Sequence, residues 1–161
     1  MNGLMPSVYV HIVTFNSRAE IGVCLEALLS QRDFAVGENL LIVVTDNASR
    51  DGTADYVALN FPQILLRRLE RNVGFSAGHN SGVADFLEKG MQYFLVLNAD
   101  VRLGSNSLST LVREVSEKNE AYACPKLLRA DHELNPVFPE TFDSAGMIFT
   151  RSLRHLDRGS N

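Results

Sequence analysis

The chain has 161 residues, 45% hydrophobic and 21% charged, which is typical of one globular domain rather than a disordered chain. Its formal net charge of −4 excludes the broad basic surface with which proteins bind nucleic acids. Its apolar runs are far shorter than the roughly 18 residues of a membrane span, so we expect no transmembrane segment. Cys24 and Cys124 lack the spacing of a disulfide framework or a zinc site, and both are expected to be small buried residues.

Strands and helices are predicted to alternate from the N-terminus onwards. Residues 8–14 form a β-rich apolar run, and a helical pattern follows at Ile21, Leu25, Leu28 and Leu29. Ser17, with Glu20 three residues later, predicts a capping box at the start of that helix. A second strand at residues 40–45 is apolar almost throughout, which favours burial on both faces of a parallel sheet.

The alternation continues beyond a dense turn cluster at residues 46–52. Thr53 is predicted to cap a short helix. A third strand at 64–69 is more polar and is expected nearer a sheet edge. A helix at 76–89 ends at Gly90, and a fourth strand at 93–97 precedes an amphipathic helix around Leu108–Val115. Beyond residue 125 only 141–150 is strand-like, so the fold class is α/β, with a doubly wound, mostly parallel sheet flanked by helices.

Polar clusters stand where the predicted strands end. They occupy residues 14–16, 46–47, 72–74 and 98–100. In open parallel sheets, ligands bind outside the carboxyl ends of the strands. This coincidence predicts a ligand site built from the loops at one edge of the sheet.

Several of these residues have two interpretations on sequence alone. Asn98 and Asp100 follow a very apolar strand and would either bind a hard cation such as Mg²⁺ or Mn²⁺, or cap the next helix. Asp46 would either accept hydrogen bonds from a base or ribose, or form an Asx-turn. His11 is interpreted as a structural residue of its strand, while the role of His79 stays open.

A serine hydrolase is a rival interpretation. No dinucleotide fingerprint or P-loop occurs, but Gly74-Phe75-Ser76-Ala77-Gly78 matches the G-x-S-x-G nucleophile elbow. Asp100 with His132 or His155 would complete the triad order. The preceding strand is rich in arginine, unlike the buried strand that usually supports an elbow, so this interpretation is not favoured.

Four segments together resemble the family-2 glycosyltransferases of the GT-A (Rossmann-like) fold, especially their rhamnosyltransferase-like branch. They read V-T-F-N at 13–16, V-T-D-N-A-S-R-D-G-T at 44–53, N-V-G-F-S-A-G-H-N at 72–80 and L-V-L-N-A-D at 95–100. A weaker match is D-S-A-G at 143–146. The resemblance covers about residues 8–150, in order, and the second and third segments together are strongly specific.

The resemblance implies that a nucleotide-diphosphate-sugar donor, such as dTDP-rhamnose, binds at these strand ends. Its sugar would pass to a glycan or lipid-linked acceptor in cell-surface polysaccharide synthesis. The implied donor-binding residues are Thr14, Asn16, Asp46, Asn47, Asn72, Gly74, Asn80 and Asn98. Asp100 is implied to bind Mg²⁺ or Mn²⁺, which would offset the charge that develops on the departing diphosphate.

Two departures from the family pattern bear on catalysis. Asn98 stands where many members have the first Asp of a D-x-D element. The family also usually continues further, with acceptor-site elements and the carboxylate base of an inverting reaction. We therefore expect a nucleotide-sugar-binding domain over residues 1–125, an incomplete acceptor side over 126–161, and no assignable base.

The remaining expectations concern activity and location. A non-catalytic nucleotide-sugar-binding fragment is the main alternative to an active transferase. Work on a lipid-linked acceptor would place the protein in the cytoplasm, peripherally at the inner face of a membrane. An uncovered sheet edge would also allow pairing between chains, that is, a homo-oligomer.

Overall fold

The computed structural model describes residues 6–144, 147–149 and 155–157. Four strands of this part form one parallel sheet in the order β3-β2-β1-β4. The strands are β1 Val8–Thr14, β2 Leu40–Asp46, β3 Leu65–Arg68 and β4 Tyr93–Asn98. The two central strands, β1 and β2, are almost wholly buried, as their continuous apolar runs predict. The more polar β3 lies at an edge, which confirms the expectation from its sequence.

Helices alternate with these strands in the predicted order. They are α1 Ile21–Leu29, α2 Thr53–Asn60, α3 Phe75–Lys89 and α4 Ser107–Lys118. Gly90 ends α3 in the left-handed conformation, with φ of 61°, as the sequence predicts. The α/β class with a mostly parallel, helix-flanked sheet is therefore confirmed.

The helices cover opposite faces of the sheet. Consecutive residues of a strand point to opposite faces, and the neighbours Arg67 and Arg68 pair with different helices. Arg67 forms an ion pair with Asp85 of α3 at 3.0 Å, whereas Arg68 forms one with Asp55 of α2 at 2.7 Å. Helix α1 contacts α2. The sheet is thus covered by α1 and α2 on one face and by α3 on the other.

Two glycines allow α3 to approach β1 closely. A Cβ atom on Gly82 would lie 2.5 Å from Nδ1 of His11, and one on Gly78 would lie 3.0 Å from both Cγ atoms of Val13. Both distances are shorter than ordinary van der Waals contact, so larger residues at these positions would push the helix away. The absence of side chains here sets the spacing between α3 and the sheet.

Three local predictions are wrong. The capping box does not form, because the helix begins at Ile21 after a turn in which the Ser17 carbonyl accepts hydrogen bonds from the Glu20 and Ile21 N–H groups. Thr53 is the first residue of α2 rather than its cap; its N–H donates to Asp51, whose carboxylate is the stronger acceptor. Cys24 is buried as expected, but Cys124 is exposed and lies in no strand.

The chain divides into two compact units, Met1–Ser109 and Thr110–Asn161. The second contains the antiparallel pair β5 Leu127–Leu128 with β6 Phe142–Ser144 and the antiparallel pair β7 Met147–Phe149 with β8 His155–Asp157. Of the predicted strand at 141–150 and the motif at 143–146, residues 145, 146 and 150 lie outside the described residues. No helix in the described part has both the length and the apolarity that crossing a bilayer requires.

Candidate functional site

The ends of β1 and β2 bring Thr14 and Asp46 together at the carboxyl edge of the sheet. The two residues are paired across the strands, both are buried, and the Thr14 hydroxyl donates to Oδ1 of Asp46 at 3.2 Å. Oδ2 of Asp46 accepts the Ser49 N–H at 3.0 Å. This bond reaches three residues along the chain, whereas the predicted Asx-turn would reach only two, so Asp46 orders the start of the 47–52 loop by a longer turn than expected. A carboxylate accepts about four hydrogen bonds, so Asp46 retains capacity for a ligand donor.

Asn16 joins the loop after β1 to the loop after β2. Its backbone lies in the left-handed region, with φ of 54°, which Asn tolerates better than most residues. Its side-chain oxygen accepts the Arg50 N–H at 2.8 Å, and its own N–H donates to the Ser49 hydroxyl at 2.9 Å. Arg18 N–H donates to Asp51 nearby, at 3.0 Å. The two loops are therefore held as one surface.

Asn47 links the end of β2 to the 72–74 loop, which leads into α3. It is only 2% exposed, and its backbone N–H donates to the Thr14 carbonyl. Its side-chain oxygen accepts the Val73 N–H at 2.8 Å, while its amide nitrogen donates to Oδ1 of Asn72 at 2.9 Å. Asn72 Oδ1 also accepts the Gly74 N–H at 2.8 Å. Both polar atoms of Asn47 thus fix the 72–74 loop.

Gly74 gives the chain the turn into α3. Its backbone, with φ of 84° and ψ of 169°, is a conformation that residues with a Cβ rarely adopt. Gly74 is the N-cap residue of the helix that follows and has no side chain with which to cap it. The free N–H groups of the first turn of α3 therefore remain available at the edge where Asn47 and Asn72 lie, an arrangement suited to a negatively charged ligand.

Asn98, Asp100 and Asn80 complete the predicted set, and all three are exposed. Asn98 pairs with Val13 across β1 and β4, which places it at the same edge as Thr14. The charge of Asp100 acts on Cys24: burial first, and then Asp100, raises the pKa of that thiol to about 12. Asn80 lies in the second turn of α3, and no hydrogen bond within the described residues joins it to the cluster.

A metal ion would have few protein ligands here. Among the described residues, no three His, Cys, Asp or Glu side chains lie together as a metal site. Asp100 and Asn98 offer exposed carboxylate and amide oxygens, which are donors for hard cations. That set fits Mg²⁺ or Mn²⁺ only in the mode where ligand phosphates supply much of the coordination.

Ser76 does not occupy a nucleophile elbow. Strand β3 ends at Arg68, well before Gly74, and the 69–74 loop separates it from α3. Ser76 is the second residue of α3 and is exposed. The sharp strand-to-helix turn that would present a nucleophile is therefore missing, which removes the geometric basis of the hydrolase interpretation.

A set of polar contacts joins α3 to the sheet and was not predicted from the sequence. His11 contacts His79 and Thr45, and Tyr9 donates to Asp85 at 2.6 Å. Tyr9 and His11 are two residues apart in the apolar β1, so their side chains lie on the same face of the sheet. Gly78 and Gly82 are four residues apart, so they lie on the same face of α3. These two patterns are the signal that could have predicted a close, polar helix-to-sheet contact.

Several solved structures share the fold of this chain. It is similar to S. aureus TarS 1-349 in complex with UDP, with a TM-score of 0.58, 23% identity, and coverage of 70% of this chain and 33% of that one. A mannosyltransferase from Pyrobaculum calidifontis in complex with GDP-Man and Mn²⁺ gives a TM-score of 0.57 and 22% identity, covering 69% and 32%. A 4-diphosphocytidyl-2C-methyl-D-erythritol synthase gives 0.51 and 22%, covering 78% and 64%. At these identities the likeness shows a shared fold.

The sequence model of glycosyl transferase family 2 matches residues 9–159, and the chain belongs to that family. No curated protein matches it significantly. The chain spans about a third of the length of the TarS and mannosyltransferase chains. The family resemblance and the fold that it implied are thereby confirmed.

Proposed function

We propose that this chain binds a nucleotide-diphosphate-sugar donor at the carboxyl edge of its sheet, as part of a glycosyltransferase. The observation that carries the proposal is the network joining Thr14, Asp46, Asn47 and Asn72. Its hydrogen bonds, all within the protein, hold three loops in one arrangement. Loops that are already ordered lose less conformational entropy when a ligand binds, so binding is more favourable.

Each residue of the edge has a role in this proposal. Asp46 accepts hydrogen bonds from the base or ribose, with Thr14 orienting its carboxylate. Asn16, Asn47 and Asn72 shape the nucleoside pocket, chiefly through the loops that they fix. The further proposed contacts to the ribose, diphosphate or sugar come from Gly74, Asn80 and Asn98.

Asp100 is proposed to hold Mg²⁺ or Mn²⁺ against the diphosphate. A neighbouring fold was solved with GDP-Man and Mn²⁺, which supports a divalent ion in this class. When bound, the ion would stabilise the negative charge that develops on the leaving diphosphate. Asn98 adds a neutral oxygen, so the protein supplies a single charge to the ion.

The acceptor side of the proposal rests on the family. We propose an inverting transfer from a donor such as dTDP-rhamnose to a glycan or lipid-linked acceptor. This reaction would belong to surface polysaccharide synthesis at the cytoplasmic face of a membrane. TarS binds UDP and UDP-GlcNAc, and the mannosyltransferase binds GDP-Man. Residues 1–125 would bind the donor, and 126–161 would begin the acceptor side.

The test is a calorimetric titration of UDP, dTDP and GDP, each with and without Mn²⁺. The proteins are the wild type, Asp100→Ala and the control Glu88→Ala, which removes another exposed carboxylate near the far end of α3. We expect one nucleotide to bind in a Mn²⁺-dependent manner, with affinity reduced about tenfold or more in Asp100→Ala alone. Binding that is equal in all three proteins would overturn the role of Asp100. A folded wild type that binds none of the nucleotides would overturn the donor site.

A binding module without turnover is the second candidate. It is favoured by Asn98, which supplies no negative charge at the position where many family members have the first Asp of a D-x-D element. The two candidates separate in a single assay, release of nucleoside diphosphate from the matching nucleotide sugar in the presence of glycan acceptors. Release supports the transferase, and tight binding without release supports the module.

A further inference from the structure

A buried histidine pair lies between α3 and the sheet, outside the residues assigned to the donor. His11 of β1 is fully buried and His79 of α3 is 6% exposed. Their Nδ1 atoms are 3.0 Å apart, and Nε2 of His11 is 2.9 Å from the Thr45 hydroxyl oxygen. Thr45 directly precedes Asp46. The pair therefore connects α3 to both central strands just behind the candidate site.

The geometry restricts the protons that the pair can carry. One proton must lie between the two Nδ1 atoms, since one nitrogen donates and the other accepts. With both rings neutral, either tautomer leaves Nε2 of His79 buried without a partner in the described part of the chain. A further proton would place a charge in this buried contact, with an N–H group there that has no acceptor.

On balance the surroundings disfavour that added charge, although the Asp85 carboxylate opposes this trend at His11. Facing groups are Tyr9 on β1, Thr45 on β2, Arg67 on β3, Phe94 on β4, and Phe75 and Asp85 on α3. The Asp85 carboxylate is already bound by Arg67 at 3.0 Å and by the Tyr9 hydroxyl. Burial, with His79 and Arg67 as further causes, lowers the pKa of His11 to about 4, and burial also lowers the pKa of His79.

The pair is also placed to affect the donor loops. Asn47 holds the 72–74 loop, which ends at Gly74, and His79 follows five residues later in α3. Gly78 and Gly82 bring α3 so close to β1 that little space is left between them. Small side-chain movements therefore cannot separate the two rings if the pair becomes charged. Separating the two rings would move the first turns of α3, and with them the 72–74 loop.

We propose that His11 and His79 are positioning residues, which dock the first turns of α3 on β1 and keep the 72–74 loop in its donor-binding arrangement only while the pair is uncharged. This inference rests on the proposed function. In the undocked state both rings would titrate near the ordinary histidine pKa of about 6.5. Acid therefore favours undocking, and donor affinity falls with it.

The first test needs no ligand. Hydrogen-exchange protection factors, corrected for intrinsic rates, are measured at pH 7.5 and 5.0 for amides 73–83 and for α1. We expect the α3 amides to lose about tenfold protection or more at pH 5.0, with α1 unchanged. Unchanged α3 protection, or an equal loss in α1, would overturn the inference.

The second test uses His79→Asn, whose amide replaces Nδ1 but does not titrate, and His132→Asn as the control at an exposed histidine. Titrations with UDP, dTDP or GDP give the ratio of variant to wild-type Kd at each pH, which cancels titration of the nucleotide. We expect His79→Asn to bind about tenfold better than the wild type at pH 5.0 and equally at pH 7.5. A constant ratio would overturn the positioning role. If no nucleotide bound to any of the proteins, the proposed function would be overturned instead. The hydrogen-exchange measurement would then still show whether α3 undocks from β1 in acid.

Discussion

The two faces of the sheet are packed in different ways. On the face covered by α1 and α2, the strands present Val10, Ile12 and Val44, and α1 contributes Leu25 and Leu28, all fully buried. On the face covered by α3, hydrogen bonds and an ion pair join the helix to the strands. The residues involved are Tyr9, His11, Thr45, Arg67, His79 and Asp85.

This difference separates two contributions to the native state. Apolar burial is non-directional and stabilises any arrangement that excludes water. Buried polar groups stabilise only the arrangement in which each finds its partner. The α1 and α2 face therefore contributes non-directional apolar burial, whereas the polar contacts of the α3 face fix where α3 and the 72–74 loop lie. The candidate site depends on the second contribution.

The largest effect is expected on the apolar face. Leu25→Ala removes a fully buried side chain from α1 and should lower the free energy of unfolding by about 3 kcal/mol, measured by urea denaturation. Leu59→Ala is the matched control, because Leu59 is 81% exposed and its loss should change stability by less than about 0.5 kcal/mol. Equal effects of the two substitutions would contradict the assignment of this face as the stabilising core.

A smaller effect is expected where α3 approaches the sheet. Gly82→Ala places a methyl group against the His11 ring and should destabilise by about 2 kcal/mol in the same assay. Gly78→Ala places its methyl group 3.0 Å from the Val13 methyl groups, a milder contact, and the better helix propensity of Ala, about 1 kcal/mol, should offset most of its cost. If both variants were equally stable, the close approach at His11 would not control the spacing.

The smallest effect is expected for a single polar contact of the α3 face. Tyr9→Phe removes the hydrogen bond to Asp85 and should cost about 1 kcal/mol, with Tyr122→Phe, at an 84% exposed residue, as the silent control. Burial raises the pKa of Asp85, but the Tyr9 hydroxyl and Arg67 lower it overall. Carbon-detected NMR should therefore show a higher Asp85 pKa in Tyr9→Phe; an unchanged value would indicate that Arg67 alone holds the carboxylate.

The sheet was predictable because the composition of each whole strand, rather than any single residue, indicates how deeply that strand is buried. The continuous apolar runs of β1 and β2 require burial on both faces, and the arginines of β3 favour an edge. Helix starts were less predictable. Ser17 and Thr53 are both good capping residues, but alternatives such as Asp51 differ by about 1 kcal/mol, and loop contacts decide between them.

The gathering of Thr14, Asp46 and Asn98 at the carboxyl edge of the sheet was predictable from the sequence, but the hydrogen bonds of the surrounding loops were not. Asn16, Asn47 and Asn72 were expected to contact a donor, and in the structure their side chains bind the neighbouring loops. The loop amide to which each asparagine side chain is hydrogen-bonded depends on how the loops are placed in three dimensions. The spacing of residues in the sequence does not determine that placement. His11 was expected to be structural, and its partner on α3 became evident only once the helix was placed on the sheet.

The two arginines of β3 also bear on how the molecule behaves at high concentration. An edge strand offers unpaired backbone groups on which a strand of another molecule can assemble. Arg67 and Arg68 project to opposite faces, and each is held by an acidic residue of a different helix, so that two adjacent cations are fixed along this short strand. A second β3 approaching side by side would have to fit around these two ion pairs, so the contacts that attach α2 and α3 to the sheet also leave this edge less open than the bare backbone would be.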